Sequence, residues 1–303
     1  MNELILIPGR VILVKKKKVA LILTVILGIV ALLSWYLYNH NIPVLNPAGE
    51  ISQKQRQLII IAVALCAIVV IPVYGLTIMI AFKYHENNNA KYSPDFDHNR
   101  MYETTWWAIP FVIITILSVI TWRSSHSLDP YRTIASRNSA INVQVVALDW
   151  KWLFIYPDKN VASVNQMDIP VNHPVNLYIT SDTVMNSFWV PSLAGQIYAM
   201  PGMSTQLHII ASKTGSFYGS SANISGQGFA GMHFAVNSVS DTNYNQWLSK
   251  VNSSNSKLNL AGYDKLAEPS INNKVAYYSG VSSSLFDYTV LKYMEPNVSG
   301  ANI

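Results

Sequence analysis

Residues 186–232 read NSFWVPSLAGQIYAMPGMSTQLHIIASKTGSFYGSSANISGQGFAGM. Short runs of β-branched and aromatic residues alternate in this stretch with Pro, Gly and Asn, a pattern that is typical of strands joined by turns. The same pattern extends outward, through INVQVVAL at 141–148, VNLYITS at 175–181, TQLHIIAS at 205–212 and MHFAVNS at 232–238. This regular spacing predicts an all-β sandwich or barrel.

Three apolar segments precede the β-rich region: Val19–Tyr38, Leu58–Phe82 and about 104–122. Only 12% of the residues are charged, about half the ~25% of an average soluble domain. The second segment holds 25 residues. A helix of that length spans ~37 Å, more than the ~30 Å hydrocarbon core of a bilayer. Pro72 and Pro110 lie inside the second and third segments, where membrane-spanning helices tolerate proline. We interpret these two segments as a membrane-spanning helix hairpin.

The first apolar segment admits two interpretations. Lys15 to Lys18 precede it, and a basic start before an apolar run is typical of a secretory signal peptide. Its 20 residues exceed the ~7–15 of a signal-peptide core. No small-x-small cleavage site follows Tyr38. These features favour an uncleaved signal anchor over a cleaved signal peptide.

The distribution of Lys and Arg predicts the orientation in the membrane, because cytoplasmic loops carry an excess of both. The tail before the first segment has five Lys or Arg residues, namely Arg10 and Lys15 to Lys18. The loop between the first and second segments has two, Lys54 and Arg56, and the loop between the second and third segments has three, Lys83, Lys91 and Arg100. The tail and the last of these loops are therefore predicted to be cytoplasmic. In a bacterium this places a multi-pass chain in the inner membrane with the C-terminal domain in the periplasm.

Several kinds of site are excluded by the residues present. Cys66 is the only cysteine and lies inside the second apolar segment, so the chain has no disulfide and no paired-thiolate metal site. The spacing of His173, His208 and His233 matches no zinc or copper motif, and we interpret them as ordinary strand or surface histidines. We predict no catalytic residue in this chain. The net charge of +5 is concentrated before the first segment and does not indicate a nucleic-acid partner.

Residues 186–232 resemble the copper-A-binding lobe of cytochrome c oxidase subunit II, where the pattern is H-S-F/W-x-V-P, then P-G, then Y-G-x-C-x-E-x-C-G-x-x-H-x-x-M. The matching scaffold residues are Ser187, Pro191, Pro201, Gly202, Tyr218, Gly219, Gly226 and Met232. At the remaining ligand positions, Asn186 and Phe229 replace the two histidines, Ser221 and Ser225 replace the two cysteines, and Asn223 replaces the glutamate. Copper of this kind needs soft thiolate and imidazole donors. The resemblance therefore implies a degenerate copper-A lobe that binds no metal.

Met185–Trp189 and SSANISGQGFAGM at 220–232 most resemble subunit II of the bo-type ubiquinol oxidases. The resemblance covers about residues 44–293. It implies a subunit of a heme-copper oxidase complex that oxidises ubiquinol, reduces oxygen to water and pumps protons. It also implies no cofactor in this chain, with heme b, heme o, the oxygen-site copper and the ubiquinol site in subunit I. The implied partners are oxidase subunits I, III and IV and membrane lipid.

The implied fold is an α+β membrane protein, in which N-terminal transmembrane helices precede a periplasmic cupredoxin-like sandwich and a small C-terminal appendage. The predicted division is a signal peptide or signal anchor over 1–40, the helix hairpin over 41–125, the copper-free sandwich over 126–240 and the appendage over 241–303. Within the appendage, NSSNSKLNL at 252–260 reads as a polar linker, 261–293 as partly helical, and 296–303 as frayed.

The segment ALDWKW at 147–152 resembles the aromatic segment that precedes the copper lobe in this family. In copper-bearing relatives the first Trp, here Trp150, lies on the route of electrons from cytochrome c. Without copper, Trp150 and Trp152 are predicted to pack at the interface with the membrane subunit. From Arg123 onward the chain carries 11 Lys or Arg against 10 Asp or Glu. This balance gives no acidic surplus for a basic cytochrome c, so we predict that cytochrome c is not a partner.

Glu103 begins the third apolar segment in YETTWWAIP, which resembles V/Y-E-x-x-W-x-x-x-P. In heme-copper oxidases a glutamate here lies at the mouth of the K-type proton pathway. An ionisable group at a membrane boundary is suited to collecting protons from water. The alternative is a structural role, because an acidic residue in a first helical turn is stabilised by the helix dipole by ~0.3–1 kcal/mol. We expect Glu103 to serve proton uptake.

Three rival hypotheses remain. A true cytochrome c oxidase subunit is disfavoured by the missing thiols. A membrane-tethered sandwich could act as a free-standing binding or assembly protein. A harder ion could bind oxygens of Asn186, Ser221 and Ser225, but no acidic residue lies among them, and oxygen-loving cations favour carboxylates.

Overall fold

The computed structural model of the protein describes residues 8–40, 42–84 and 98–294, apart from the side chains of residues 8–20, 22, 23 and 26. The chain forms two compact units, one through Asn46 and one from Pro47. The first unit holds helix α1 (Pro8–Asn39), which contains the first predicted apolar segment. The side chains of the Lys15–Lys18 run lie outside the described residues, as do Lys91 and the predicted frayed end at 296–303.

The second unit begins with the predicted hairpin, formed by α2 (Glu50–Lys83) and α3 (Arg100–Ser127). Both helices are long and apolar enough to cross a membrane. The α3 helix begins where the Asn99 side chain accepts hydrogen bonds from the backbone N–H groups of Met101 and Tyr102. Those N–H groups have no partner within the helix, so this cap fixes where α3 starts.

The hairpin joins the β-domain through a close backbone contact at Gly49. The N–H groups of Ala48 and Gly49 donate to the Ser192 carbonyl at 2.8 and 3.1 Å. The Ser52 hydroxyl, one turn into α2, donates to the same carbonyl at 2.7 Å. A Cβ on Gly49 would lie 2.5 Å from the Leu193 carbonyl oxygen, so only glycine permits this approach. The contact explains why hairpin and β-domain form one compact unit.

The predicted β-rich region is a sandwich of two sheets. Its strands are β1 (Ile141–Leu148), β2 (Lys151–Tyr156), β3 (Val161–Val164), β4 (Gln166–Pro170), β5 (Pro174–Ser181), β6 (Asn186–Trp189), β7 (Gln196–Ala199), β8 (Thr205–Ile210), β9 (Gly215–Ser221), β10 (His233–Val239) and β11 (Ala276–Tyr278). One sheet has the order β11-β3-β2-β1-β5-β8 and the other β4-β10-β9-β6-β7. The β1–β5 and β10–β4 pairs are parallel, and the other pairs are antiparallel. The predicted strands at 141–148, 175–181, 205–212 and 232–238 correspond to β1, β5, β8 and β10.

Aromatic side chains fill the space between the two sheets. Trp152 and Phe154 of β2 meet Phe188 of β6 and Phe234 of β10, with ring centroids 5.0–6.4 Å apart. All four rings are buried. Tilted and edge-to-face contacts at such distances are favourable beyond the area that they bury. The central strands of both sheets are therefore held by one aromatic cluster.

The segment after residue 240 packs against the sandwich. Its helices are α4 (Asp241–Asn252), α5 (Leu260–Ala267) and α6 (Leu285–Leu291). The α4 helix buries Tyr244, Trp247 and Val251 against the main core, and β11 extends the larger sheet by pairing with β3. Leu258, in the stretch predicted to be a polar linker, is buried. This apolar side chain anchors the otherwise mostly exposed stretch in a second core.

Candidate functional site

The predicted copper-lobe positions come together at the ends of β6 and β9. Asn186 is the first residue of β6 and Ser221 the last of β9. The loop from β9 to β10 then carries Asn223 and Ser225, followed by a 3-10 turn (Phe229–Gly231) and Met232. We call Asn186, Ser221, Asn223, Ser225, Phe229 and Met232 the degenerate copper lobe.

Hydrogen bonds link most of these side chains to each other. The Ser221 hydroxyl lies 3.1 Å from the Asn186 amide oxygen and 3.2 Å from the Asn223 carbonyl. Asn186 and Asn223 donate through their amide nitrogens to the carbonyls of Val184 and Met185, at 3.0 and 2.9 Å. Asn186 and Ser221 are buried, so these bonds prevent the ~1–3 kcal/mol cost of an unpaired buried polar group. The network therefore stabilises the loops of the lobe.

The donor atoms of the lobe do not fit a copper-A centre. They are amide and hydroxyl oxygens together with the Met232 sulfur, which accepts a long hydrogen bond of 3.9 Å from Ser225. Phe229 offers no lone pair. Soft copper requires thiolate and imidazole ligands, and a hydroxyl or an amide does not replace them. Over residues 8–40, 42–84 and 98–294, no group of three His, Cys, Asp or Glu side chains could hold a metal ion.

Trp150 packs directly on this lobe. It occupies the turn between β1 and β2 with a positive φ of 55°, which is uncommon for a bulky residue. Its indole N–H donates to the Ser225 carbonyl at 3.0 Å. A Cβ on Gly228 would lie 2.4 Å from the Trp150 ring, so glycine is required under the indole. Trp150 is half-buried, and its predicted place at a subunit interface stays a prediction.

The position of Trp152 differs from the subunit interface that was predicted for it. Its side chain is fully buried between the two sheets of this chain. A residue with no exposed surface makes no contact with another subunit. The segment ALDWKW was interpreted as one aromatic stretch, but the turn at Trp150 separates its two tryptophans, so that only the first remains near the surface.

Glu103 lies in the first turn of α3 with its side chain one-third exposed. The carboxylate oxygen Oε1 accepts a hydrogen bond from the backbone N–H of Asn99 at 3.3 Å, and Nδ1 of His98 lies 2.5 Å from the same oxygen. Glu103 therefore supports the helix start and remains open to water. This geometry is compatible with both of the roles considered for it.

Two buried charged residues were not predicted as important. Lys151 donates to the Glu268 carbonyl at 2.8 Å and also to the Ser270 hydroxyl. Burial lowers the pKa of Lys151, and nearby Asp149 and Glu268 partly raise it again. The buried carboxylate of Asp182 accepts from Tyr263 at 2.7 Å and pairs with Lys292 at 2.8 Å. No local pattern in the sequence signals either contact, because the partners lie about a hundred residues away in the chain.

The comparisons with known proteins decide the family. The family model "Cytochrome C oxidase subunit II, periplasmic domain" matches residues 155–239, and the model "COX Aromatic Rich Motif" matches residues 253–297. The cytochrome bo(3) ubiquinol oxidase subunit 2 of Pseudomonas putida is 48% identical over 254 residues, which cover 84% of this chain and 81% of that protein. The chain belongs to the ubiquinol oxidase subunit 2 family.

Further relatives in this family are similar over the same length. The ubiquinol oxidase subunit 2 of Acetobacter aceti is 45% identical over 84% of this chain and 83% of that protein. The quinol oxidase subunit 2 of Bacillus subtilis is 33% identical over 84% of this chain and 78% of that protein. A solved periplasmic domain of cytochrome oxidase subunit II from Bradyrhizobium japonicum is 25% identical, with a TM-score of 0.36, over 39% of this chain and 96% of that chain. That TM-score is too low to support any statement about this chain.

Membership of the ubiquinol oxidase subunit 2 family confirms the resemblance stated from the sequence. The α+β architecture, with apolar helices before a sandwich that matches a periplasmic domain model, is confirmed as well. The chain is a subunit of an oxidoreductase complex of the heme-copper oxidase type. A free-standing binding or assembly protein is the disfavoured alternative.

Proposed function

We propose that this chain is subunit II of a bacterial ubiquinol oxidase and that electrons do not enter the complex through it. The observation that supports this most strongly is the degenerate copper lobe, in which hydrogen bonds join side chains that are unable to hold copper. Heme b, heme o, the oxygen-site copper and the ubiquinol site belong to subunit I in this proposal. Subunits III and IV complete the assembly.

The proposed placement puts α2 and α3 across the inner membrane with the sandwich in the periplasm. The Lys and Arg distribution supports this orientation. It places Glu103, at the start of α3, on the cytoplasmic side, and the hairpin junction at Gly49 on the periplasmic side. If α1 is retained as a signal anchor, the chain spans the membrane three times.

Glu103 is proposed to collect protons from the cytoplasm for subunit I. The side chain is accessible to water, and its contact with His98 places a second proton-binding group within 2.5 Å. The side chains of His98 and Glu103 are 62% and 33% exposed, so both groups are open to bulk water. The structural role at the helix start is compatible with this one.

Co-purification tests the proposed function. An affinity tag on this chain should bring a heme-bearing partner through mild detergent extraction, with a reduced-minus-oxidised spectrum that shows both heme b and heme o. An untagged preparation carried through the same column controls for adventitious binding. A chain that elutes alone, without heme, would support the free-standing module instead.

A further inference from the structure

The segment that follows α5 lies against the turn between β1 and β2. Residues 268–273, which we call the strap, read EPSINN. The backbone N–H of Ser270 donates to the carbonyl of Asp149 at 3.2 Å. The buried Lys151 ammonium donates to the Glu268 carbonyl at 2.8 Å and also to the Ser270 hydroxyl. The strap is therefore bonded to the residues on both sides of the tryptophan in this turn.

Hydrogen bonds within the strap and at its far end hold it in one shape. The Ser270 hydroxyl donates to the Asn273 amide oxygen at 3.0 Å, and the Asn273 amide nitrogen donates back to the Ser270 carbonyl at 2.8 Å. Asn272, between them, has a positive φ of 55°, a conformation that asparagine adopts more readily than most residues. Asn165, which follows β3, donates its amide nitrogen to the Asn273 carbonyl at 2.9 Å. The strap is thus a fixed element that is anchored at both ends.

The strap also contacts the loop from β9 to β10, which carries most of the degenerate copper lobe. A Cβ on Gly228 would lie 2.5 Å from Cγ2 of Ile271 and 2.4 Å from the Trp150 ring. A Cβ on Gly231, in the 3-10 turn of the loop, would lie 2.7 Å from the Asn272 amide oxygen. The strap, the indole and the loop are therefore packed directly against each other.

The strap explains why Trp150 keeps its unusual backbone conformation. A positive φ is unfavourable for a bulky residue and persists only where the surrounding structure holds it. The bonds from the strap hold the turn at Asp149 and at Lys151. With the turn held, the indole N–H is placed to donate to the Ser225 carbonyl at 3.0 Å. The position of the strap is thus transmitted to the loop through one side chain.

The hydrogen-bond network of the degenerate copper lobe holds only the start of the β9–β10 loop. Asn186, Ser221 and Asn223 form this network, and residues 226–231 lie beyond its last member. In a copper-A centre the metal would connect this later part of the loop to β6, because its ligands come from both. The side chains present here do not fit copper, so the connection depends on protein contacts.

We propose that the strap replaces the metal as the clamp that fixes the later part of the β9–β10 loop. It acts directly, because Ile271 and Asn272 contact the loop, and indirectly, because its bonds orient Trp150. The proposal concerns the conformation of this chain, and it rests neither on the electron route nor on the role of Glu103.

Hydrogen exchange of the purified oxidase complex tests the clamp. The amides of Phe229, Gly231 and Met232 are hydrogen-bonded within the loop and report on its opening. The Lys151→Met variant keeps the length of the side chain but removes the ammonium that binds the strap. We expect the three amides to exchange about tenfold faster in this variant. Lys274→Met is the matched control, because Lys274 is exposed and directly follows the strap, and its exchange should equal that of the wild type.

Two milder variants distinguish the clamp from a general loss of stability. Ile271→Ala truncates a side chain that is 60% exposed and should accelerate the loop amides about threefold, as for one partly buried methyl group. Trp150→Phe removes the N–H that donates to Ser225 and should accelerate them about fivefold. The amides of β8, at the far edge of the larger sheet, should exchange as in the wild type. Unchanged loop exchange in both Lys151→Met and Ile271→Ala, or an equal acceleration in β8, would overturn the proposal.

Discussion

Replacing Glu103 by glutamine lowers ubiquinol-driven oxygen consumption by about tenfold or more and leaves the complex assembled. Glutamine keeps an oxygen that accepts from the Asn99 N–H, a bond of 3.3 Å in the wild type, so the start of α3 is preserved. The amide does not bind and release a proton at neutral pH. A group that transfers a proton in the chemical step contributes ~10²–10⁴ in rate, and a group at the entrance is expected to contribute less because water supplies a slower route.

The measurement is the steady-state oxygen consumption of the purified variant, with heme content as the check on assembly. Asp264→Asn is the matched control, because it also removes a carboxylate from a helix but lies exposed in the outer domain on α5. Its rate should equal that of the wild type. A Glu103→Gln complex with full heme content and a wild-type rate would show that Glu103 serves only the helix.

Replacing Trp152 by alanine destabilises the sandwich by about 3–5 kcal/mol, the usual cost of deleting a large buried aromatic side chain. The ring is fully buried against Phe188 and Phe234, with centroids 5.5 and 5.7 Å away. The cavity left behind lies at the centre of the aromatic cluster that joins the sheets, where the neighbouring strands have little freedom to collapse.

Hydrogen exchange of the β1 and β2 amides in the intact complex measures this loss. Such a destabilisation accelerates their exchange by about a hundredfold or more if they open with the whole sandwich. Tyr198→Ala, on edge strand β7 with an exposed side chain, should change the stability by no more than about 0.5 kcal/mol. Equal exchange in the two variants would mean that the aromatic cluster does not hold the sheets together.

Four of the strands, β1, β5, β8 and β10, could be predicted from the sequence. Alternation of apolar and polar residues reports directly on which side of a strand faces the core. The motif spacing placed Asn186 and Ser221, 35 positions apart, in one lobe. The place of Trp152 was predicted wrongly, because nothing in ALDWKW signals that Trp150 adopts a positive φ and that the chain reverses there.

The contacts that tie the last 60 residues to the sandwich could not be predicted from the sequence. The contacts between Lys151 and Glu268 and between Asp182 and Tyr263 join residues that are 117 and 81 positions apart in the chain. Their pairing depends on the topology, which places β11 next to β3, and not on any local propensity. His208 is a similar case, since its Nδ1 lies 2.8 Å from the amide oxygen of Asn176, which is its neighbour on the adjacent strand β5.

The most direct test of the central claim compares two electron donors. Oxygen consumption by the purified complex is measured with ubiquinol and with reduced cytochrome c, each added to the same preparation of known heme content. The degenerate copper lobe predicts rapid turnover with ubiquinol and none above background with cytochrome c. Sustained turnover on reduced cytochrome c would contradict the account, because it would require a working electron relay in the lobe that Asn186, Ser221 and Ser225 occupy.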